Sequence, residues 1–96
     1  MKTLRSRGHG VLLAVLVEAR QRAGLTQRQL AGRLKRPQSY IGKIEKGERR
    51  IDPVEFAEWA RGCGIAPATF FRRFTAALQR RIMTDRVDMP RGKKSS

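Results

Sequence analysis

The stretch Pro37-Gln38-Ser39-Tyr40-Ile41-Gly42-Lys43-Ile44-Glu45-Lys46-Gly47 holds the side chains with the most chemistry to offer. Wound as a helix, it puts Ile41 and Ile44 on a buried side. Ser39, Gly42, Lys43 and Lys46 then fall together on another face, because residues three, four and seven apart are helical neighbours. A lysine at the exposed centre of such a face can donate to guanine O6 and N7, and a glutamine at its head can bridge adenine N6 and N7. Each good contact of this kind discriminates between bases by about 1–3 kcal/mol. Gln38, Ser39 and Lys43 are therefore the candidate base readers, although any polar stripe could equally be plain solvated surface. Tyr40 can offer its hydroxyl to a phosphate or pack on the turn before the helix.

The charge of the whole chain points toward a polyanion. Twenty-two Lys and Arg against eight Asp and Glu give 96 residues a net charge of +14. Such a surface favours nucleic acid, but charge alone does not choose among DNA, RNA and anionic lipid. Its distribution says more. Residues 1–50 carry 13 Lys and Arg against Glu18, Glu45 and Glu48, which leaves +10, while Ile51 to Ala60 holds Asp52, Glu55 and Glu58 and no cation. Arg28, Arg36, Lys46, Arg49 and Arg50 flank the polar helix and are placed to meet phosphates, and the acidic stretch should face away from them. Phosphate contacts position a protein and make binding salt-sensitive without reading sequence.

Other chemistries lack their residues. Cys63 and His9 are the single members of their kinds, so no intramolecular disulfide or Cys–His zinc set can form. No paired acid, nucleophile–base set or phosphate loop suggests an enzyme. Exposed aromatics for stacking single-stranded bases are missing. The apolar run Val11–Val17 follows Lys2, Arg5 and Arg7 like a signal peptide, but Glu18-Ala19-Arg20 comes next instead of a cleavage site. Seven apolar residues are also far short of the about 20 that cross a bilayer. The expectation is a cytoplasmic protein with no membrane partner and no cofactor.

Five helices should position these groups, giving an all-α fold. The first is read from Gly10 to Ala23, with Leu12, Leu16, Ala19 and Ala23 inward and Gly24 as its stop. Thr26-Gln27-Arg28-Gln29 is a capping box that starts the second, which turns Leu30, Ala31 and Leu34 inward. Pro37 opens the third, read over 37–46, and Gly47 ends it. Asp52-Pro53-Val54-Glu55 caps the fourth, with Phe56, Trp59, Ala60 and Cys63 as its apolar stripe and Gly64 as its end. The fifth runs from Pro67 to Thr84, with Phe70, Phe71 and Phe74 closing the core. This divides the chain into a basic arm (1–9), a helical domain (10–84) and a flexible basic tail (85–96).

About three residues join helices two and three, the proportion of a helix-turn-helix. Gly24-Leu25-Thr26-Gln27-Arg28-Gln29-Leu30-Ala31 followed by Pro37 to Gly47 resembles the lambda-repressor-like (XRE) helix-turn-helix family, over roughly residues 10 to 72. The resemblance implies a compact five-helix bundle that reads double-stranded DNA as a two-fold homodimer on a palindromic operator. By position it assigns a phosphate contact to Gln27. Gln38 would head the recognition helix and bond both Gln27 and a base, and Ser39 and Lys43 would read bases. It pairs Arg20 with Glu45 as a structural ion pair tying helix one to the recognition helix. Two positions depart from the family: Gly42 offers no side chain on the reading face, and Lys35 stands where the turn often has glycine.

The reading from sequence is a sequence-specific regulator of transcription, bacterial or phage-derived, expected to repress by occluding a promoter. Small relatives of this kind include restriction-modification controllers and antitoxins that also bind a protein partner, and a non-specific architectural DNA binder is the other alternative. Helix five extends past what the bundle needs, so Ala77, Leu78, Ile82 and Met83 are read as a dimer interface. Otherwise that extension folds back on helix one.

Overall fold

In the computed structural model, residues 6–88 are described, with side chains as far as Arg81. Helix α1 (Arg7–Arg22) begins on Ser6, whose Oγ accepts from the His9 N–H at 3.1 Å. The helix thus starts three residues before Gly10, and Arg7, Gly8 and His9 belong to it rather than to a free arm. Inside the run Val11–Val17 the apolar residues are continuous, so periodicity does not fix the phase. Leu13, Leu16 and Ala19 are buried, Leu12 and Val15 are partly buried, and Ala23 is exposed.

Helices α2 (Gln27–Leu34) and α4 (Pro53–Gly62) both open with the expected capping boxes, Thr26 with Gln29 and Asp52 with Glu55. Each box satisfies two backbone N–H groups that the helix itself leaves bare. Between them lies α3 (Gln38–Glu45), which Pro37 precedes in an extended conformation with no side-chain cap. Gly47 follows at φ +79°, a left-handed conformation that suits glycine and ends the helix sharply.

The core is built where the five helices meet. Leu16, Leu30, Ile41, Ile44, Trp59 and Phe70 are fully buried. Removing such a side chain from water stabilises the fold by about 1.5–3 kcal/mol. The Trp59 indole N–H donates to the Leu16 carbonyl at 3.1 Å, which satisfies a buried donor and ties α4 to α1. Gly62 lets α4 approach α2 closely: a Cβ there would lie 2.9 Å from both Leu30 Cδ1 and Leu34 Cδ2. Cys63 sits half-buried beside this contact, and burial pushes its thiol up to about 11, so it behaves as an apolar filler.

Helix α5 (Pro67–Asp88) closes the bundle and continues four residues beyond Thr84. Residues 85–88 are therefore helical, and the rest of the expected tail lies outside the described residues. Phe70 is the core residue of α5 and stacks on Phe56 with ring centroids 4.7 Å apart. Phe71 does not close the core as expected: it is 53% exposed. Adjacent residues on a helix point about 100° apart, so only one of the two phenylalanines can face inward. None of the described helices is long and apolar enough to cross a membrane.

Candidate nucleic-acid interface

Lys35, Arg36 and Pro37 make the turn between α2 and α3. Lys35 takes the left-handed conformation, with φ 58° and ψ 44°. This is the conformation glycine would adopt without cost, so the departure from the family changes the energy of the turn and not its shape. The Lys35 and Arg36 N–H groups donate to the carbonyls of Gly32 (3.2 Å) and Ala31 (2.9 Å), which closes the last turn of α2.

A chain of hydrogen bonds runs from α1 through α2 to the head of α3. Arg20 Nε donates to Glu45 Oε2 at 2.7 Å and Arg20 Nη2 to Glu45 Oε1 at 3.1 Å. Arg20 Nη1 also donates to the Leu25 carbonyl at 2.8 Å, fixing the loop between α1 and α2. Glu45 Oε1 accepts again from Gln27 Nε2 at 2.8 Å. Gln27 Oε1 in turn accepts from Gln38 Nε2 at 3.4 Å.

The chemistry of the donors sets the direction of this chain. A carboxylate only accepts, so Gln27 must turn its NH₂ toward Glu45 and its carbonyl toward Gln38. Gln38 must then offer its own NH₂ to Gln27. One N–H and the carbonyl oxygen of Gln38 stay free at the exposed end, which is the donor–acceptor pair that matches adenine N7 and N6. The Arg20–Glu45 pair thus does more than hold two helices together: it orients an amide two residues away in the bonding chain. Gln27 spends both ends of its amide inside the protein.

Gln38, Ser39 and Lys43 are all exposed along one side of α3, and Arg28, Lys46 and Arg50 are exposed around it. Gly42 lies between Ser39 and Lys43, with Gln27 Oε1 3.7 Å from where its Cβ would stand. Gly42 is partly buried, and a side chain there would stand in ordinary contact with the Gln27 amide.

Three expected phosphate contacts look different once folded. Tyr40 is 7% exposed, and its hydroxyl is buried with no hydrogen-bond partner. A phosphate cannot reach it, so Tyr40 belongs to the core; the ring packs because Ile41 and Ile44 pull that flank of α3 inward. The guanidinium carbons of Arg36 and Arg49 lie 4.4 Å and 4.8 Å from the centroid of its ring. Both arginines also meet the acidic start of α4. Arg49 grips Glu55 with two nitrogens, at 3.0 Å and 2.9 Å, and Arg36 reaches Glu58 at 3.5 Å and Glu55 at 3.9 Å. Arg36 and Arg49 are thus struts between α3 and α4, with much of their charge neutralised before any DNA arrives.

The bond from Arg49 to Glu55 is what the sequence reading misses. The sequence places Glu55 in the capping box and in the acidic stretch of α4, and it does complete the box by accepting from the Asp52 N–H at 3.0 Å. It is nevertheless buried, and Arg49's hydrogen bonds hold its carboxyl below the ordinary glutamate range against the opposing effect of burial. The signal lay in the charge pattern, an acidic segment without cations directly after Arg49-Arg50.

The expected dimer residues divide. Leu78 Cδ1 lies 3.5 Å from where a Cβ on Gly8 would be, so it packs on the first turn of α1. Ala77 lines a groove of about 290 Å³ between α1 and α5 together with Val15, Ala19 and Phe70. This part of α5 folds back on α1 because α1 starts early enough to receive it. The side chains of Ile82 and Met83 lie outside the described residues.

The comparisons with known proteins agree with this geometry. A sequence profile described as a helix-turn-helix domain matches residues 11–70. The chain is 45% identical to an XRE-family like protein from Pseudomonas syringae pv. tomato str. DC3000, covering 72% of this chain and 84% of that one, with a TM-score of 0.68. The fold is shared with the wild-type restriction-modification controller protein C.Esp1396I (TM-score 0.71, 21% identity, 78% of this chain and 99% of that one). It is shared too with the clp gene regulator ClgR from Corynebacterium glutamicum (TM-score 0.70, 19% identity, 83% and 85%). C.Esp1396I has also been solved as a tetramer in complex with its natural 35 base-pair operator. Among curated proteins there is no match.

Proposed function

The chain belongs to the XRE-type helix-turn-helix family, and from that premise we propose that it regulates transcription by binding double-stranded DNA with α3 in the major groove. The observation that carries this reading is the bonded chain Arg20–Glu45–Gln27–Gln38, which prepares one amide to meet a base before DNA is present. An amide whose orientation is already fixed loses less freedom on binding than one that must be ordered at the moment of contact. Gln38 reads adenine, Lys43 reads guanine, and Ser39 contributes a weaker contact on the same face.

The remaining cations position the protein. Arg28, Lys46 and Arg50 are exposed beside α3 and contact phosphates, which makes affinity fall with salt. Gln27 contributes through the N–H that neither Glu45 nor Gln38 uses. The protein acts as a homodimer on a palindromic operator, since two copies are needed to occupy two half-sites about one DNA turn apart. The regulator of this design blocks a promoter by sitting on it. The solved complex of the controller protein with its operator supports this reading for the shared fold.

Selection from random duplexes, followed by footprinting, tests the proposal. The expected result is a palindromic consensus bound at least about 10³-fold more tightly than random DNA. Recovery of no consensus would overturn sequence-specific regulation and leave an architectural binder.

A further inference from the structure

Arg73, Ala77 and Arg80 stand four and three residues apart on α5, so they share one face of that helix, with Ala76 beside them. Two adjoining cavities of about 290 Å³ and 670 Å³ lie between this face and α1, and Val15, Glu18 and Ala77 line both. They form one groove. Its floor is small and apolar: Val11, Val15 and Ala77 are partly exposed, and Ala14 and Ala76 are exposed. Arg22, Arg73 and Arg80 border the first cavity and Arg7 and Arg81 the second, while Glu18 is the single acid that lines either. Glu18 is already engaged, with Oε2 3.3 Å from Arg22 Nη2. Arg73 and Arg80 are exposed and form no ion pair among the described residues.

The groove has a definite side of the bundle. Arg20 points from α1 to Glu45 at the end of α3. Val11, Val15, Glu18 and Arg22 lie about 140° to 180° around α1 from Arg20. Helix α3 packs on α1 and α2, whereas α5 packs on α1 and α4. The groove therefore opens on the flank of α1 that faces away from α3.

From this we infer that the groove between α1 and α5 receives an acidic amphipathic helix of a partner protein, its apolar stripe on the valines and alanines and its carboxylates against Arg73 and Arg80. The inference goes beyond DNA binding and does not depend on it. Charge selects the occupant. A second copy of the chain would bring a net +14 to a rim that is already positive. The chain's own ends hold no acid: residues 1–5 carry Lys2 and Arg5, and residues 89–96 carry Arg91, Lys93 and Lys94. Shape excludes the other polyanions. The apolar floor is recessed between two helices, where a flat bilayer or a duplex cannot touch it. A single helix is narrow enough to lie in it, and the alanines leave room for its side chains. Arg73 and Arg80 stand about 10 Å apart along α5, which matches carboxylates two turns apart on such a helix.

Fluorescence anisotropy of a labelled peptide on the full chain tests this. The probe has about 15 residues, enough for an isolated helix, with leucine at every third or fourth position and glutamate on the flanking ones. It should bind, and the same residues in scrambled order should bind at least about 10-fold more weakly. Arg73→Glu and Arg80→Glu should each raise the peptide Kd about 10-fold. Arg61→Glu, at an exposed position of α4 and with the same change of charge, should not. Ala14→Arg separates shape from charge: it adds a cation but fills the floor, and it should weaken binding. All four substituted residues are exposed, and thermal melting checks that the variants fold. Saturating duplex DNA should leave the peptide bound, because α3 lies on the other side of α1. Equal binding of the two peptides, an equal loss in Arg61→Glu, or tighter binding by Ala14→Arg reduces the groove to diffuse positive charge and overturns the inference. Displacement of the peptide by duplex assigns these arginines to phosphates and overturns it as well. A chain that binds the ordered peptide and no DNA overturns the function proposed above and leaves the groove assignment standing.

Discussion

Arg20 and Glu45, 25 residues apart in sequence, meet through two parallel hydrogen bonds of 2.7 Å and 3.1 Å, with their side chains 12% and 7% exposed. Arg20→Ala strands the carboxylate, and loss of one partner from a buried pair costs about 3–5 kcal/mol. Urea unfolding should show that loss, and an unchanged midpoint would reduce the pair to surface decoration. Glu45→Gln separates stability from readout. It keeps the shape but no longer forces Gln27 to present its NH₂, so the Gln38 amide can flip. The preference for adenine at the position proposed for Gln38 should fall, while binding to random duplex should stay the same.

Arg49 and Glu55 should behave as a folding contact. Arg49→Ala and Glu55→Ala each lower stability, and a double-mutant cycle should give a coupling of about 1 kcal/mol, since Arg49 is partly exposed and screened by solvent. Glu55's carboxyl is held below its ordinary value. Its contribution is therefore complete above the unfolded glutamate value of about 4.3 and fades as pH falls through the lower folded value. Glu55→Gln should flatten the acid side of the stability profile. If Arg49→Ala weakens DNA binding without touching the melting temperature, the strut assignment fails.

Two glycines should respond in opposite ways. Gly62→Ala places a methyl group 2.9 Å from the ends of both Leu30 and Leu34, so α2 and α4 must part or the leucines must leave their rotamers. A loss of about 1–3 kcal/mol is expected from such overpacking. At Gly42 the added methyl meets only Gln27 Oε1 at 3.7 Å, an ordinary contact. Gly42→Ala should gain about 0.5–1 kcal/mol from helix propensity. It should also weaken operator binding, because the methyl group stands against the Gln27 amide that holds Gln38. Thermal melts and a titration with operator DNA decide both points.

Lys35→Gly should raise stability. Lys35 occupies the left-handed region, which costs an L-residue roughly 1–2 kcal/mol. Part of that gain is offset because glycine is more flexible in the unfolded chain and the charge at the end of α2 is lost. A net increase of about 0.5 kcal/mol is expected, with Lys35→Ala giving none. If alanine stabilises as much as glycine, backbone strain is not the cause.

Much of this protein could be read from local patterns. The boxes Thr26–Gln29 and Asp52–Glu55, the stops at Gly24, Gly47 and Gly64, and the three-residue turn all depend on neighbours within one helical turn, so sequence alone placed α2, α3 and α4. The polar face of α3 followed from its periodicity. The pairing of Arg20 with Glu45 came only through the family resemblance, because nothing local links residues 25 positions apart.

What the tertiary structure decided was the assignment of long side chains and of ambiguous apolar runs. Arginine can reach several partners, and only the packing of α4 against α2 showed that Arg36 and Arg49 turn to Glu55, Glu58 and the ring of Tyr40. Phe70 and Phe71 were equivalent as letters, and the position of Phe56 chose the first for the core and left the second outside. Leu78 found Gly8 because α1 begins at Arg7. Sequence thus determined which groups could read DNA and on which helix they stand. The fold determined which cations turn to the acidic start of α4 and which phenylalanine stays outside the core, because both depend on distances between elements that no local pattern encodes.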